Sequence, residues 1–311
     1  MSSGIFDPYL ERTGIVILDG AMATELEKKG ADLNHPLWSA KLLIENPAMI
    51  KQVHLDYLIA GADIITTASY QASFTGFAKH GYSRELAMDM LIRATSLAVD
   101  ARDEMMQSHS ISKPYPLIAA SVGPYGASKA DGSEYTGNYA LSVEELMNFH
   151  RERMGVLAAS GADLLAFETI PCAEEALAII QLLKEFPSVK GWISFSCKNE
   201  SMISSGTLFA ECVAMGNQSD QVVAMGVNCT SPQYVESLIR IALTASRHPI
   251  IVYPNKGEIY DPHHKCWLPG SAETDFNQDA VRWRNAGARI IGGCCRTSPE
   301  DIARLKATIS V

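Results

Sequence analysis

Three stretches of the chain can be laid over one another: Ala60–Tyr70 reads AGADIITTASY, Ser160–Ile170 reads SGADLLAFETI, and Ala286–Arg296 reads AGARIIGGCCR. Each carries a glycine where helices end, then a short apolar run, then polar or reactive residues. A helix end feeding a buried strand is the joint of a repeated βα unit. Five more runs read the same way: IVILDG from Ile15, PLIAASVG from Pro116, WISFSC from Trp192, VVAMGVNC from Val222 and IIVYPN from Ile250. Between them lie helix patterns with start signals. Asn46-Pro47, Ser231-Pro232 and Ser298-Pro299 each set a capping side chain before a first-turn proline, and Ser142 with Glu145 forms a capping box. Eight short strands alternating with amphipathic helices predict an α/β fold, a single (β/α)8 TIM barrel, as one domain over residues 1–311. The competing arrangement is an open doubly wound sheet, but no G-x-G-x-x-G follows the first strand.

Composition narrows the function. With 47% hydrophobic and 20% charged residues the chain is an ordinary globular protein with a large core. A net charge of −9, with no basic run longer than two residues, argues against a nucleic-acid partner. The opening residues MSSGIFDPYLERTG lack the basic and apolar regions of a secretory signal, and no stretch approaches the roughly 18 apolar residues of a membrane span. A cytoplasmic protein with no membrane partner is expected. Seven cysteines are an odd count, so a disulfide framework is not expected. Cys172, Cys197, Cys212 and Cys266 are scattered and read as buried or incidental thiols.

Chemistry in such a barrel gathers at the C-terminal ends of the strands. Cys229 closes the sixth strand and Cys294-Cys295 the eighth, so three thiols can converge at one mouth. In a reducing compartment that pattern suggests a soft-metal site, with zinc favoured. Adjacent strand residues point to opposite faces, so both neighbouring cysteines reach one ion only if the backbone leaves strand geometry; Gly292 and Gly293 are expected to supply that freedom. Inert thiols or a vicinal disulfide are the alternatives. Three protein ligands leave one tetrahedral position open. An all-thiolate zinc of net charge −1 activates water poorly and suits a substrate thiolate better, which points to alkyl transfer to sulfur.

The carboxylates agree with this reading. Asp19 ends the first strand just before GAMATELEKKG, whose helix start offers N–H groups to a substrate carboxylate. Glu168 ends the fourth strand, where it can take an ammonium. A helix cap for Asp19 and an ion pair at the core edge for Glu168 are the structural alternatives. Tyr70, Phe74 and Phe77, with Tyr125, Tyr135 and Tyr139, are candidates for an aromatic wall facing a cationic donor. His263-His264 lies in a polar loop and reads as solvated.

The motifs DGAMATELE, GVNC and GGCCRT, in this order and at these strand ends, resemble the homocysteine S-methyltransferase family over nearly the whole chain. ASYQAS, SVGPYGA, DGSEYTGNY and FETIP resemble its stand-alone bacterial members, which use S-methylmethionine. The resemblance implies a zinc-dependent (β/α)8 barrel that makes methionine from homocysteine and a sulfonium donor. It implies Cys229, Cys294 and Cys295 as the Zn2+ ligands. Asp19, the backbone at Gly20 and Ala21, and Glu168 would hold the amino-acid end of homocysteine, with Tyr70 in the substrate pocket. Two positions depart from the pattern. Ala21 stands where many members have glycine, and it should still offer its N–H. Lys256 stands in YPNKGE where a small residue is expected, which would put a cation near the pocket rim. The protein is expected to be a monomer or a weak homodimer. S-adenosylmethionine is the alternative donor. A zinc hydrolase on the same barrel, or a zinc-stabilised binding protein, are the rival readings, though neither a histidine ligand nor a fourth protein ligand is evident.

Overall fold

The computed structural model describes residues 4–33, 37–109, 113–129, 131–257, 259–261, 266–268 and 275–309. His263 and His264 lie outside them. The strands are β1 (Val16–Ile17), β2 (Ile64–Thr66), β3 (Leu117–Val122), β4 (Leu164–Ile170), β5 (Gly191–Phe195), β6 (Val222–Asn228), β7 (Ile250–Tyr253), β8 (Ile259–Asp261), β9 (Cys266–Leu268) and β10 (Ile290–Ile291). Eight of them form one parallel sheet in the order β1-β10-β7-β6-β5-β4-β3-β2. A bridge between Leu18 and Ile64 closes it, with Asp63 N–H donating to Ile17 and Asp19 N–H to Ile64. This is the (β/α)8 barrel, with helices between successive strands. The antiparallel pair β8–β9 stands apart in the loop after β7 and was not expected. No described helix is long and apolar enough to cross a membrane.

The strand alternation divides the apolar residues into two cores. Val16, Leu18, Ile64, Ala119, Leu164, Ala166, Trp192, Ala224, Ile251, Tyr253 and Ile290 fill the barrel interior. Their neighbours Ile17, Ile65, Ala120, Leu165, Phe167, Ile193, Met225, Val252 and Ile291 face the helices. That is the two-residue period of a strand buried on both faces. Continuing the inward register by two residues reaches Thr66, Ser121, Glu168, Ser194 and Gly226, and two more along β6 reach Asn228. These residues therefore sit above the apolar plug, at the C-terminal mouth.

Local signals begin and end the helices largely as expected. Gly61 and Gly287 cap their helices in the left-handed region, at φ 105° and 117°. Asn46 accepts from the Met49 N–H, and Ser142 with Glu145 forms the full capping box. Ser298 accepts from the Asp301 N–H while Asp301 accepts from the Ser298 N–H, a capping box with aspartate in place of glutamate. Ser231 is the exception: its side chain makes no cap hydrogen bond, so Pro232 alone marks that helix start.

Gly226 shows how closely the strands pack. A Cβ there would lie 1.7 Å from the Ile251 carbonyl oxygen on β7, a backbone atom with no room to retreat. Gly226→Ala should therefore destabilise the protein by at least about 3 kcal/mol in denaturant unfolding. A midpoint within experimental error of the wild type would contradict this packing.

Candidate metal and substrate site

The three cysteines meet at the barrel mouth. Their sulfurs all lie within 4.8 Å of one another, with Cys229 to Cys295 at 3.8 Å and Cys294 to Cys295 at 3.9 Å. Among the described residues they are the one cluster of side chains with metal-ligating geometry. Cys229 follows β6 with φ 49°, and Cys294-Cys295 occupy a turn that ends at Arg296, φ 72°. The left-handed backbone thus falls on Cys229 and Arg296, not on Gly292 and Gly293 as expected. Those glycines answer close approach instead. A Cβ on Gly293 would meet the Thr297 Oγ1 at 2.3 Å, and one on Gly292 would meet the Asp19 carbonyl at 2.7 Å.

Hydrogen bonds fix the turn from several sides. Cys294 N–H donates to Pro254 O at 2.8 Å, Lys256 N–H to Cys295 O at 3.1 Å, and Gly293 N–H to Asp19 O at 3.0 Å. Thr297 Oγ1 donates to Cys294 O at 2.6 Å and accepts from the Ala21 N–H at 3.2 Å. That amide also approaches Thr297 O at 3.3 Å, so the Ala21 N–H is spent inside the protein and does not face a ligand. The Tyr57 hydroxyl clamps the Ala21 and Thr297 carbonyls together. Lys256 also departs from expectation. Its ammonium turns to the buried Asp301 carboxylate, 2.9 and 3.0 Å away, and leaves the pocket rim. Burial opposes ionisation of Asp301, but Lys256, the Ser298 N–H and Arg304 outweigh it and hold the carboxyl below its usual range.

The thiols do not ionise alike. Hydrogen bonds from Cys294 and Cys295, and from Tyr135 at 3.6 Å, hold Cys229 well below the usual thiol range despite its burial. Bonding to Cys229 in turn pushes Cys294 and Cys295 up. Cys172, Cys197 and Cys212 are free, buried and pushed well up by burial, which is the inert behaviour expected of them.

Two carboxylates share the mouth. Asp19, 3% exposed, accepts from Thr66 N–H at 2.7 Å and from the Thr66 hydroxyl; it caps no helix. Burial pushes it well up, and the nearby Glu168 charge adds to this. Glu168, 8% exposed, accepts from the Ser121 hydroxyl and bonds Tyr253. Burial raises it to about 7, against these hydrogen bonds. It pairs with no cation among the described residues, so an ion pair at the core edge is not its role. A register shift in β4 between Phe167 and Ile170, with Thr169 at φ 61°, sets its direction. Asn228 holds that kink: its Oδ1 accepts from Thr169 N–H at 2.7 Å and its Nδ2 donates to the Thr169 hydroxyl at 2.8 Å.

The expected aromatic wall divides. Tyr70 and Tyr135 stand at the thiols; Tyr70 bonds Thr169 and feels the charges of Glu134, Cys229 and Glu168. Phe77 is fully buried against Tyr82, Phe74 stacks under Arg84, and Tyr125 packs on Tyr139 and Phe149. A buried polar cluster behind them was missed. Glu175 accepts from Tyr125 N–H at 2.6 Å and from His150 Nε2 at 2.8 Å. Arg153 donates to His150 Nδ1 and to the Gly123 carbonyl, so His150 is neutral with its proton on Nε2, and burial keeps it so. The cluster fixes the loop after β3. An H-x-x-R pair on the helix Val143–Ala158 and a first-turn Glu175 were its signals in the sequence.

The family model for homocysteine S-methyltransferases matches residues 16–309. The chain is 51% identical over 300 residues to homocysteine S-methyltransferase YbgG of Bacillus subtilis strain 168, covering 96% of this chain and 95% of that protein. It is 47% identical over 304 residues to a selenocysteine Se-methyltransferase of Brassica oleracea var. italica, covering 94% of this chain and 88% of that one. The metallated homocysteine methyltransferase MmuM of Escherichia coli superposes with a TM-score of 0.88 at 41% identity, covering 97% of this chain and 99% of that one. With eight parallel strands, three thiols at their mouth and this likeness over nearly its whole length, the chain belongs to the homocysteine S-methyltransferase family.

Proposed function

We propose that this homocysteine S-methyltransferase works as one barrel domain in the cytoplasm, uses zinc, and takes its methyl group from S-methylmethionine. The observation that carries the zinc reading is the spacing of the sulfurs. Tetrahedral zinc with Zn–S near 2.3 Å separates its sulfur ligands by about 3.8 Å, and two of the three pairs lie at 3.8 and 3.9 Å, with the third within 4.8 Å. The E. coli relative in metallated form supports a metal here. When bound by Cys229, Cys294 and Cys295, zinc keeps a fourth ligand's thiol deprotonated near neutral pH. A hydrolase would want histidine or carboxylate ligands, and the cluster contains neither.

The rest of the work falls to the chain itself. Glu168 takes the homocysteine ammonium, Asp19 adds a second negative group beside it, and the backbone at Gly20 lines the amino-acid end. Tyr70 closes the pocket over it. Homocysteine releases its thiol proton to solvent on binding, and the sulfur lone pair forms the new S–CH3 bond. The old methyl–sulfonium bond breaks with its electron pair going to the donor sulfur, which leaves as a neutral thioether. Acceptor and donor each end as methionine. No acid or base is needed at the leaving group, so positioning and thiolate formation supply most of the rate.

Three outcomes test the reading. Purified protein should hold about one zinc per chain, and Cys229→Ser, Cys294→Ser or Cys295→Ser should each lose most of it by elemental analysis. Full occupancy in a variant would remove that residue from the ligand set.

Glu168→Gln should raise the homocysteine KM by at least about tenfold with zinc retained. The same change should alter stability in a pH-dependent way. The folded carboxyl titrates near 7 and the unfolded one near 4.5, so the folded state holds the extra proton between them. Its cost is absent below the lower value, grows as pH rises, and is complete above about 7. In substrate-free protein Glu168→Gln should change little at pH ~5 and stabilise by on the order of 3 kcal/mol at pH ~8.5. Equal effects at both pH values would contradict a desolvated carboxylate.

S-methylmethionine should exceed S-adenosylmethionine by at least about tenfold in kcat/KM, a difference of about 1.4 kcal/mol. Equal turnover would overturn the donor assignment and leave the thiolate chemistry intact.

A further inference from the structure

Beside the thiols stands a buried carboxyl with no task so far. Glu134 lies on the short turn Ser133–Tyr135, whose next residue places its hydroxyl 3.6 Å from Cys229 Sγ. Glu134 is 9% exposed, and its Oε2 is buried without a hydrogen-bond partner. Among the described residues no Lys, Arg or His forms an ion pair with it. The turn is nevertheless held in place. Ser196 donates to the Glu134 carbonyl at 3.4 Å, and the chain passes so close to Gly126 that a Cβ there would lie 2.5 Å from Glu134 N. A buried carboxylate lacking a cation is costly, and proteins keep one where a ligand supplies the charge.

The surroundings say which charge. Glu134 is close enough to Tyr70, Tyr135 and Cys229 to act on all three electrostatically. Tyr135 follows Glu134 directly in the chain and sets its hydroxyl 3.6 Å from Cys229 Sγ, with its ring partly open to solvent. Two aromatic rings and one carboxylate form a receptor for a soft, weakly hydrated cation. Asp19, just past β1, and Glu168, on β4, are assigned to the acceptor in the reading above.

Resting on the methyl-transfer reading above, we propose that Glu134, with the rings of Tyr70 and Tyr135, binds the sulfonium centre of the methyl donor and so selects charged donors over neutral thioethers. The direction of the effect follows from the reaction. The sulfonium carries a full positive charge in the bound donor and loses it as the methyl leaves. Attraction to Glu134 is therefore stronger in the ground state than in the transition state, and it serves affinity at the expense of turnover.

Glu134→Gln, equal in size and uncharged, isolates the charge; Glu134→Asp keeps it and should retain most of the donor affinity if the fold is intact. In zinc-loaded Glu134→Gln the S-methylmethionine KM should rise about tenfold or more, with kcat equal to or above wild type and the homocysteine KM within about twofold. Calorimetry separates the two cationic groups of the donor without turnover. S-methylmethionine should bind the variant more weakly by a similar factor, while methionine, which has the same ammonium but no sulfonium charge, should bind it as it binds wild type. A parallel loss for methionine would show that Glu134 reads the ammonium, and would overturn the proposal. So would a fall in kcat with unchanged donor KM. Wild-type protein inert toward sulfonium donors would overturn the methyl-donor reading and this assignment together; an active wild type with an unaltered Glu134→Gln overturns this assignment alone.

Discussion

Three sulfurs must be brought within a few ångströms of one another from two strands that are not neighbours. In the closed sheet β7 lies between β6, which ends in Cys229, and β10, which precedes Cys294 and Cys295. The turn after β10 must therefore fold back across the end of β7, and most of the polar detail at the mouth serves that path. Pro254 and Lys256, just past β7, take the turn's N–H and give it one. Thr297 packs into the space left by Gly293 and ties the turn to Ala21 after β1. Lys256 links it to the cap of the helix Pro299–Ile309 through Asp301. The thiol cluster is thus joined to β1, β7 and the last helix at once.

Three buried acids stand at this mouth, and among the described residues none of them is paired with a cation. Asp19, Glu168 and Glu134 are all buried and all pushed up from their usual range, with burial the largest cause in each case. Such a site is unfavourable by itself and becomes favourable when positive charge arrives. The substrates of the proposed reaction bring an ammonium and a sulfonium, and the proposed zinc would bring two charges more. Binding and relief of electrostatic stress are then one event, so ligand-loaded protein should be markedly more resistant to unfolding than the empty form.

What could be read in advance was what is written locally. The eight apolar runs became the eight parallel strands, because a strand buried on both faces needs nothing beyond its own few residues to be recognised. Asn46, Ser142, Gly61 and Gly287 acted as caps for the same reason. The meeting of Cys229 with Cys294-Cys295 followed from counting strand ends. What escaped depended on partners far along the chain. The Ala21 N–H was expected to face a ligand and instead meets Thr297, 276 residues away. Lys256 was expected at the pocket rim, and only the position of Asp301 shows that it turns away. Gly292 and Gly293 were assigned conformational freedom when their reason is the proximity of Leu18, Asp19 and Thr297. His150 with Arg153, and Glu175, were each visible as local signals, but their pairing joins two helices and two loops and depends on the fold.

The place of β10 between β1 and β7 has a consequence for how the molecule acquires its shape. Val16 pairs with Ile290, so the first barrel strand waits for the last before the ring can close. Contacts between residues so distant in the chain form late and slow the search. Until they form, Cys229 stands alone at the end of β6 and no ligand set exists. Without β10, β1 through β7 make an open sheet whose two edges, β1 and β7, both await it. Ring closure and the assembly of the thiol cluster are then the same terminal event.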